Sequence, residues 1–176
     1  QKDLIIDIGS NDGNLLTNFK KYCNILGVTP ENIAKIARKN GIPTIQDYFS
    51  NHLSLRIKKK YGKAKIITAT NVFAHMEEIV TLLKSIKNLM KKDGIFISES
   101  HYLYDLIQYN QYDTIYHEHL RYYSLSSLKF LFNKVGLEII RAKRINTHGG
   151  SIRVYAAPKG IYKKSKKLKI LFENEK

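Results

Sequence analysis

Short apolar runs alternate with helix-patterned segments through the first hundred residues of this chain of 176 residues. Compact, β-branched runs bounded by glycine or polar residues predict buried strands. The segments between them repeat apolar residues every three or four positions, which predicts helices packed on a sheet. The predicted strands span 4–9, 24–28, 43–49, 65–73 and 95–100. Because parallel strands need helical crossovers, five such alternations predict a doubly wound α/β sheet with helices on both faces.

The pattern changes after residue 100. Residues 101–123 are rich in tyrosine and only partly periodic, so they predict a helical turn followed by a functional loop. Ser124 then precedes a helical pattern as its N-cap, and two strand patterns follow around the sequence "HGG". We expect one domain over 1–160 and a basic C-terminal helix over 161–176 that begins a further domain.

The turn after the first predicted strand has the sequence "DIGSNDG". Gly9 permits a sharp turn, and Gly13 lets a ligand approach the backbone at the start of a helix. Asn11 replaces the middle glycine of the dinucleotide fingerprint, and no Gly-Lys-Ser/Thr sequence follows, which excludes a phosphate-binding P-loop. A turn with fewer glycines and more polar side chains fits a ligand without a pyrophosphate, such as S-adenosylmethionine.

Ligands of doubly wound sheets bind beyond the carboxyl ends of the strands. The residues expected along that rim are Gly9, Thr29, Asp47, Asn71 and Glu99. An acidic residue usually receives the ribose hydroxyls at the end of the second strand. Thr29 holds that position here, and its neutral hydroxyl predicts a loss of about 1–3 kcal/mol of cofactor affinity relative to a carboxylate.

The segment "DTIYHEHLRYYS", residues 113–124, concentrates titratable and aromatic side chains. An extended segment would place His117 and His119 on one side, with Glu118 pointing away. A metal site would need a third ligand from His75, His101 or His148, and nothing in the sequence fixes one of them there, so we expect no metal. His75, at the end of the fourth strand, and His148, beside two glycines, bring further imidazoles toward the same rim. Together these segments predict acid–base chemistry.

Charge and composition restrict the class of protein. The chain carries 30 Lys and Arg against 15 Asp and Glu, a net charge of +15. Its lysine clusters lie near predicted helix ends, where they complement the helix dipole, so nucleic-acid binding is the less favoured interpretation. The single cysteine, Cys23, excludes an internal disulfide. With no apolar run long enough for a membrane span, we expect a cytoplasmic enzyme.

Five motifs, in order, resemble the sugar C-methyltransferases that act on nucleotide-linked 4-keto sugars. They are "DIGSNDGNLL", "LGVTPENIAKIA", "NVFAHM", "DTIYHEHLRYYSLSSL" and "HGGSIRVY". The resemblance covers residues 3–157 and implies a class I methyltransferase fold, a Rossmann-like three-layer sandwich whose mostly parallel seven-stranded sheet has an antiparallel last strand. It implies S-adenosylmethionine as cofactor and methyl transfer to C3 of the sugar through an enolate. Members of that family carry flanking domains, so the chain corresponds to their central domain.

The resemblance also implies roles for individual residues. The acid–base pair is His119 and Tyr116, with their order left open, and Glu118 and His75 assist them. The residues expected to bind the cofactor are Asp7, Gly9, Ser10, Asn11, Gly13, Thr29, Asp47, Tyr48 and Asn71. Those expected to bind the sugar are His117, His148, Gly149, Gly150 and Arg153.

Two alternatives stay open. An RNA methyltransferase could use the same fold with its basic face on nucleic acid. A methyltransferase-like domain without catalytic activity could bind sugar nucleotides or partner proteins, which Thr29 and the missing flanking domains favour. The sequence leaves the sugar, the nucleotide and the oligomeric state undetermined.

Overall fold

A seven-stranded sheet forms the centre of the molecule. The structure is a computed structural model and describes residues 2–147 and 149–175. The strands are β1 (Leu4–Ile8), β2 (Asn24–Thr29), β3 (Thr44–Gln46), β4 (Ala64–Thr70), β5 (Met90–His101), β6 (Leu137–Ile145) and β7 (Ser151–Pro158). The helices are α1 (Asn14–Thr17), α2 (Ala34–Lys39), α3 (Asn51–Tyr61), α4 (Ile79–Leu89), α5 (Leu103–Gln108), α6 (Leu125–Lys134) and α7 (Lys166–Glu173). Two 3-10 turns cover Phe73–His75 and Tyr112–Thr114.

The strand order is β3-β2-β1-β4-β5-β7-β6. β1 to β5 pair in parallel, and β7 is antiparallel to both of its neighbours. The predicted doubly wound sheet with an antiparallel last strand is therefore confirmed. The order reverses at β1, where the chain crosses from β3 back to β4, so a crevice opens there beyond the carboxyl ends of the strands.

Both faces of the sheet carry apolar side chains because successive residues of a strand point to opposite sides. Ile6 belongs to the large core cluster, together with Leu83 of α4 and Phe132 of α6. Its neighbour Ile5 belongs to a smaller cluster on the other face, together with Leu16 of α1. These two clusters fix the register of β1, and with it the position of the turn that follows.

Several predicted boundaries were wrong. The helix predicted between the fourth and fifth strands ends at Leu89, and β5 already begins at Met90, which pairs with Ala64 across an irregularity in the ladder. The strand predicted over 65–73 ends at Thr70, because Asn71 has a positive φ of 54° that no regular strand accommodates. In the first predicted helix only Asn14–Thr17 is α-helical. The apolar pattern of each predicted helix or strand continues past these points, but its backbone hydrogen bonding ends there.

The C-terminal segment packs on the domain. Leu168 of α7 is buried, and Phe172 packs against the large core cluster. The Glu175 carboxylate accepts hydrogen bonds from Tyr102 Oη at 2.8 Å and from the backbone N–H of Ser126 at 2.9 Å, at the start of α6. Helix α7 agrees with the predicted basic helix, whereas its role as the beginning of a further domain stays a prediction.

Candidate active site

A cavity of about 710 Å³ lies beyond the carboxyl ends of β1, β2 and β4. It is lined by eight of the nine residues predicted to bind the cofactor: Asp7, Gly9, Ser10, Asn11, Thr29, Asp47, Tyr48 and Asn71. His75, Glu118 and Arg153 line it as well. Residues of the predicted catalytic and substrate groups thus border the same cavity as those of the predicted cofactor group.

The first turn is built by backbone hydrogen bonds to β2. The N–H groups of Gly9 and Ser10 both donate to the carbonyl of Val28, at 2.8 and 3.1 Å. Gly9 has φ +78°, and a Cβ at this position would lie 2.1 Å from Val72 Cγ2. Only glycine combines this conformation with so close an approach. A side chain at position 9 would displace Val72, which also lines the cavity.

The cavity wall is rich in acidic side chains. The carboxylates that line it are Asp7, Asp12, Glu31, Asp47 and Glu118. Burial raises the pKa of Asp7 to about 6, although a hydrogen bond from Thr68 Oγ1 at 2.6 Å partly opposes this shift. Such a wall suits a ligand with positive charge, because a cation nearby restores the charged form of a buried carboxyl group.

Two observations test whether S-adenosylmethionine fits this cavity. In the described part of the chain, Ser10 Oγ and Asn71 Oδ1 are buried without a hydrogen-bond partner, and both residues lie in the cavity wall. Buried polar atoms normally find partners, so unpartnered ones indicate where a polar ligand binds. The acidic wall also matches a cofactor that carries a sulfonium and an ammonium group. The residues present therefore fit this cofactor.

Tyr116 and His119 form a hydrogen-bonded pair, with 3.0 Å between Tyr116 Oη and His119 Nε2. His119 Nδ1 lies 2.9 Å from the carbonyl oxygen of Thr114. A carbonyl only accepts, so Nδ1 carries the proton, and the neutral ring offers Nε2 as an acceptor to the tyrosine hydroxyl. His119 is only 9% exposed, whereas Tyr116 is 44% exposed. The phenol is therefore the solvent-accessible partner of the pair, and neither residue lines the cavity.

Two further imidazoles lie beside His119 of this pair. The ring centroid of His119 lies 5.1 Å from that of His75 and 4.9 Å from that of His101. We call His75, His101 and His119 the imidazole cluster. His101 was not assigned a role from the sequence, although its place at the carboxyl end of β5 was a signal that could have found it. The fold thus brings together three imidazoles that come from separate segments of the chain.

Contacts to backbone carbonyls hold residues 118–121 against the segment after β4. His75 Nδ1 lies 2.8 Å from the carbonyl oxygen of Glu118. The Arg121 guanidinium donates to the carbonyl oxygens of Met76 and, at 2.7 Å, of Glu77. A bidentate arginine restricts orientation as well as distance, so this contact holds the two segments in one arrangement.

Several predicted residues lie elsewhere. Residues 116–119 form a turn closed by the N–H of His119 on the carbonyl of Tyr116 at 3.0 Å, so the extended arrangement predicted for His117 and His119 is wrong. His117 is exposed and does not line the cavity. The described residues contain no group of His, Cys, Asp or Glu side chains that could hold a metal ion.

The glycines of the predicted sites serve as close contacts. Gly13 does not line the cavity, and a Cβ there would meet Ile42 at 2.9 Å. Gly149 and Gly150 lie against Gln111 and Asp105, outside the cavity lining. The prediction for His148 falls outside the described residues.

The described helices include none with the length and apolar character needed to cross a bilayer.

Comparison with known proteins identifies the family. The model of a methyltransferase domain matches residues 1–142. The C-methyltransferase NovU of Streptomyces niveus is 38% identical over 158 residues, which are 89% of this chain and 38% of that protein. The chain thus spans less than half the length of this curated relative.

Solved structures share the fold. A methyltransferase from Clostridium acetobutylicum, described as S-adenosylmethionine-dependent, superimposes with a TM-score of 0.69 at 16% identity, over 91% of this chain and 85% of that one. A methyltransferase of Haloferax volcanii, solved with its Trm112 activator, gives 0.69 at 14% identity, over 90% and 84%. The chain belongs to the methyltransferase-domain family, the S-adenosylmethionine-dependent methyltransferases with this seven-stranded fold.

Proposed function

We propose that this domain transfers a methyl group to the carbon beside the ketone of a nucleotide-linked 4-keto sugar. The observation that carries the proposal is the hydrogen bond between Tyr116 Oη and His119 Nε2. These two residues do not line the cavity, but the His119 ring packs beside His75, which does. Methyl transfer to carbon requires removal of a proton from that carbon, whereas many oxygen and nitrogen acceptors are nucleophilic already. A positioned acid–base pair of side chains therefore favours carbon as the methyl acceptor.

The geometry suggests an order for the proton transfer. The exposed phenol oxygen of Tyr116 takes the proton from C3, while its own proton passes to Nε2 of the buried His119. The electron pair of the C–H bond forms the C3–C4 double bond, and the carbonyl π pair moves onto the oxygen as an enolate. Thr114 keeps Nδ1 of His119 protonated, so that Nε2 remains the acceptor.

The residues proposed to hold S-adenosylmethionine follow the cavity wall. The first turn would bind the methionine end, Thr29 and Glu31 the ribose, and Asp47 and Tyr48 the adenine. When bound, the cofactor supplies an electrophilic methyl group for the enolate carbon. The chain's own contribution is to hold both ligands in contact and to keep the proton acceptor in place.

Similarity to NovU supports carbon as the methyl acceptor, since that relative is described as a C-methyltransferase. The sugar-nucleotide substrate rests on the motif resemblance. Glu118 lines the cavity, and its backbone carbonyl contacts His75. We propose that it orients the His75 imidazole or the sugar. Roles for His117, His148, Gly149 and Gly150 on the sugar side remain proposals.

Hydrogen exchange tests this function without requiring methyl transfer. The protein is incubated in heavy water with S-adenosylhomocysteine and a panel of 4-keto sugars linked to thymidine, uridine, guanosine or cytidine diphosphate. We expect deuterium at C3 of at least one sugar, and none with the matching 4-hydroxy sugars, whose C3 hydrogen is not acidic. Absence of exchange across the panel, with cofactor bound, would overturn the proposal.

Two further measurements separate the alternatives. RNA affinity that falls steeply with salt would favour an RNA methyltransferase. Failure to bind S-adenosylhomocysteine at about millimolar concentration, a free energy of only about −4 kcal/mol, would favour a domain that binds without catalysis.

A further inference from the structure

Glu99 and Arg153 form an ion pair between neighbouring strands at the cavity. Glu99 is 5% exposed, and Arg153 Nε donates to its Oε2 at 2.6 Å. The two residues are direct partners in the β5–β7 ladder. Removing the partner of a buried carboxylate is strongly destabilising, so Glu99 holds the arginine in place. The contact engages Nε, while the two terminal nitrogens carry four further N–H donors.

The charge of the cavity makes Arg153 distinctive. Five carboxylates line this cavity, and Arg153 is the single Lys or Arg among the described lining residues. His75 is the other lining residue that can carry positive charge. A negative charge developing on a ligand here would be repelled by the carboxylates. A permanent cation, held by a buried partner, is the group able to offset it.

Arg153 shares the cavity lining with His75, one member of the imidazole cluster. Glu99 and His101 are two residues apart on β5, so they share one face with about 6.6 Å between their Cα atoms. His101 in turn lies 4.9 Å from His119, measured between ring centroids. Arg153, His75 and Glu118 all line the one cavity. The cavity that Arg153 lines is thus also bordered by His75, the residue that packs beside His119.

Resting on the proposed function, we infer that Arg153 is a further catalytic residue that donates hydrogen bonds to the ketone oxygen of the sugar. As the C–H electron pair enters the new C3–C4 double bond, the carbonyl π pair moves onto this oxygen. The proton goes to Tyr116, whose own proton goes to His119, and Arg153 keeps its protons. Glu99 is a positioning residue, which acts only through the guanidinium.

The test compares Arg153→Lys with Arg144→Lys. Arg144 is a matched control, since it also pairs a strand arginine with a buried carboxylate, Asp105, but does not line the cavity. We expect Arg153→Lys to lower the rate of C3 deuterium exchange by about 100-fold, as the loss of an oxyanion donor does. Arg144→Lys should leave the exchange rate unchanged.

Binding measurements separate this role from other uses of an arginine. Affinities for S-adenosylhomocysteine and for free nucleoside diphosphates should stay within about twofold in Arg153→Lys, a smaller change than the loss of one hydrogen bond causes. A large loss of either affinity would overturn the inference, because Arg153 would then bind the cofactor carboxylate or the phosphates. An unchanged exchange rate, or an equal loss in Arg144→Lys, would overturn it as well.

A double variant guards against misfolding. Glu99→Gln with Arg153→Met leaves no buried charge unpaired, so it should fold, bind S-adenosylhomocysteine and lose exchange. Glu99→Gln alone keeps the guanidinium but loosens it, and should lower the maximal exchange rate more than it raises the KM for the sugar. Wild-type exchange that survives in these variants would refute only the role of Arg153. Absence of exchange in the wild type would refute the proposed function itself.

Discussion

Tyr116 Oη and His119 Nε2 are hydrogen-bonded, with 3.0 Å between the two atoms, and the histidine is the more buried of the two residues. The carbonyl of Thr114 fixes the opposite ring nitrogen of His119 at 2.9 Å. This arrangement places an exposed phenol in front of a buried acceptor. Under the proposed function, the phenol would be the partner that a substrate meets first, a point that the order of residues along the chain leaves open.

Removing the phenol hydroxyl should abolish proton abstraction. We expect Tyr116→Phe to lower C3 deuterium exchange by about 10²–10⁴-fold, the usual contribution of a positioned acid–base group. His119→Ala should do the same because the phenol loses its proton acceptor, while S-adenosylhomocysteine binding stays nearly intact. Tyr112→Phe is the control, since Tyr112 lies in the same segment and is 82% exposed. Wild-type exchange in Tyr116→Phe would refute the assignment.

The hydroxyl of Thr29 should contribute to cofactor affinity. Thr29 is buried in the cavity wall at the end of β2, and Thr29→Val removes the hydroxyl at nearly constant volume. Loss of one hydrogen bond, about 0.5–1.5 kcal/mol, should weaken S-adenosylhomocysteine binding roughly 2- to 10-fold by calorimetry. Thr44→Val, on β3 and outside the lining, should not change it. Equal affinities of Thr29→Val and wild type would show that Thr29 does not contact the ribose.

Asp7 should make stability depend on pH. Its folded pKa is raised to about 6 from 3.8 by burial, so the folded state holds this proton more tightly than the unfolded state. Stability from this group is therefore present at low pH and is lost as pH rises through about 6. The free energy of unfolding of Asp7→Asn, relative to that of wild type, should rise by about 2–3 kcal/mol from about pH 4 to about pH 8, as measured by urea denaturation. A difference that does not vary with pH would contradict this.

Gly9 should tolerate a side chain far less than an unhindered glycine does. Gly9 and Gly160 both have φ near +80°, but a Cβ at Gly160 meets no atom within 4 Å. Both alanine variants carry the left-handed backbone penalty of about 1–2 kcal/mol. Gly9→Ala adds a clash with Val72 and should lose about 1–3 kcal/mol more in unfolding free energy. Equal losses in the two variants would mean that the turn yields freely.

The strands, the crossovers and the first turn could be predicted because their signals are local. Apolar alternation reports which backbone stretches are buried, and "DIGSNDG" reports a turn that needs glycine. The ends of elements were less predictable. Met90 continues a helical apolar pattern, yet it pairs with Ala64 in the sheet, because tertiary pairing outweighs local periodicity.

The cavity lining was largely predictable, since topology sends the strand ends to one rim. Of the imidazole cluster, His75 and His119 were predicted from the sequence, whereas His101 was not. The turn at residues 116–119 directs His119 toward His75 and His101 and leaves His117 exposed. The prediction from the sequence placed His117 and His119 on the same side, because it assumed an extended backbone for a segment without a helical pattern.

The sequence by itself determined the class of fold, the strand-to-helix turn and the set of chemically active side chains. Only the tertiary structure decided which of them meet: Tyr116 with His119, His101 with His119, and Glu99 with Arg153. The physical reason is range. Periodicity and turn preference act over a few residues, whereas these contacts depend on the register of β5 against β7 and on loops that join distant parts of the chain.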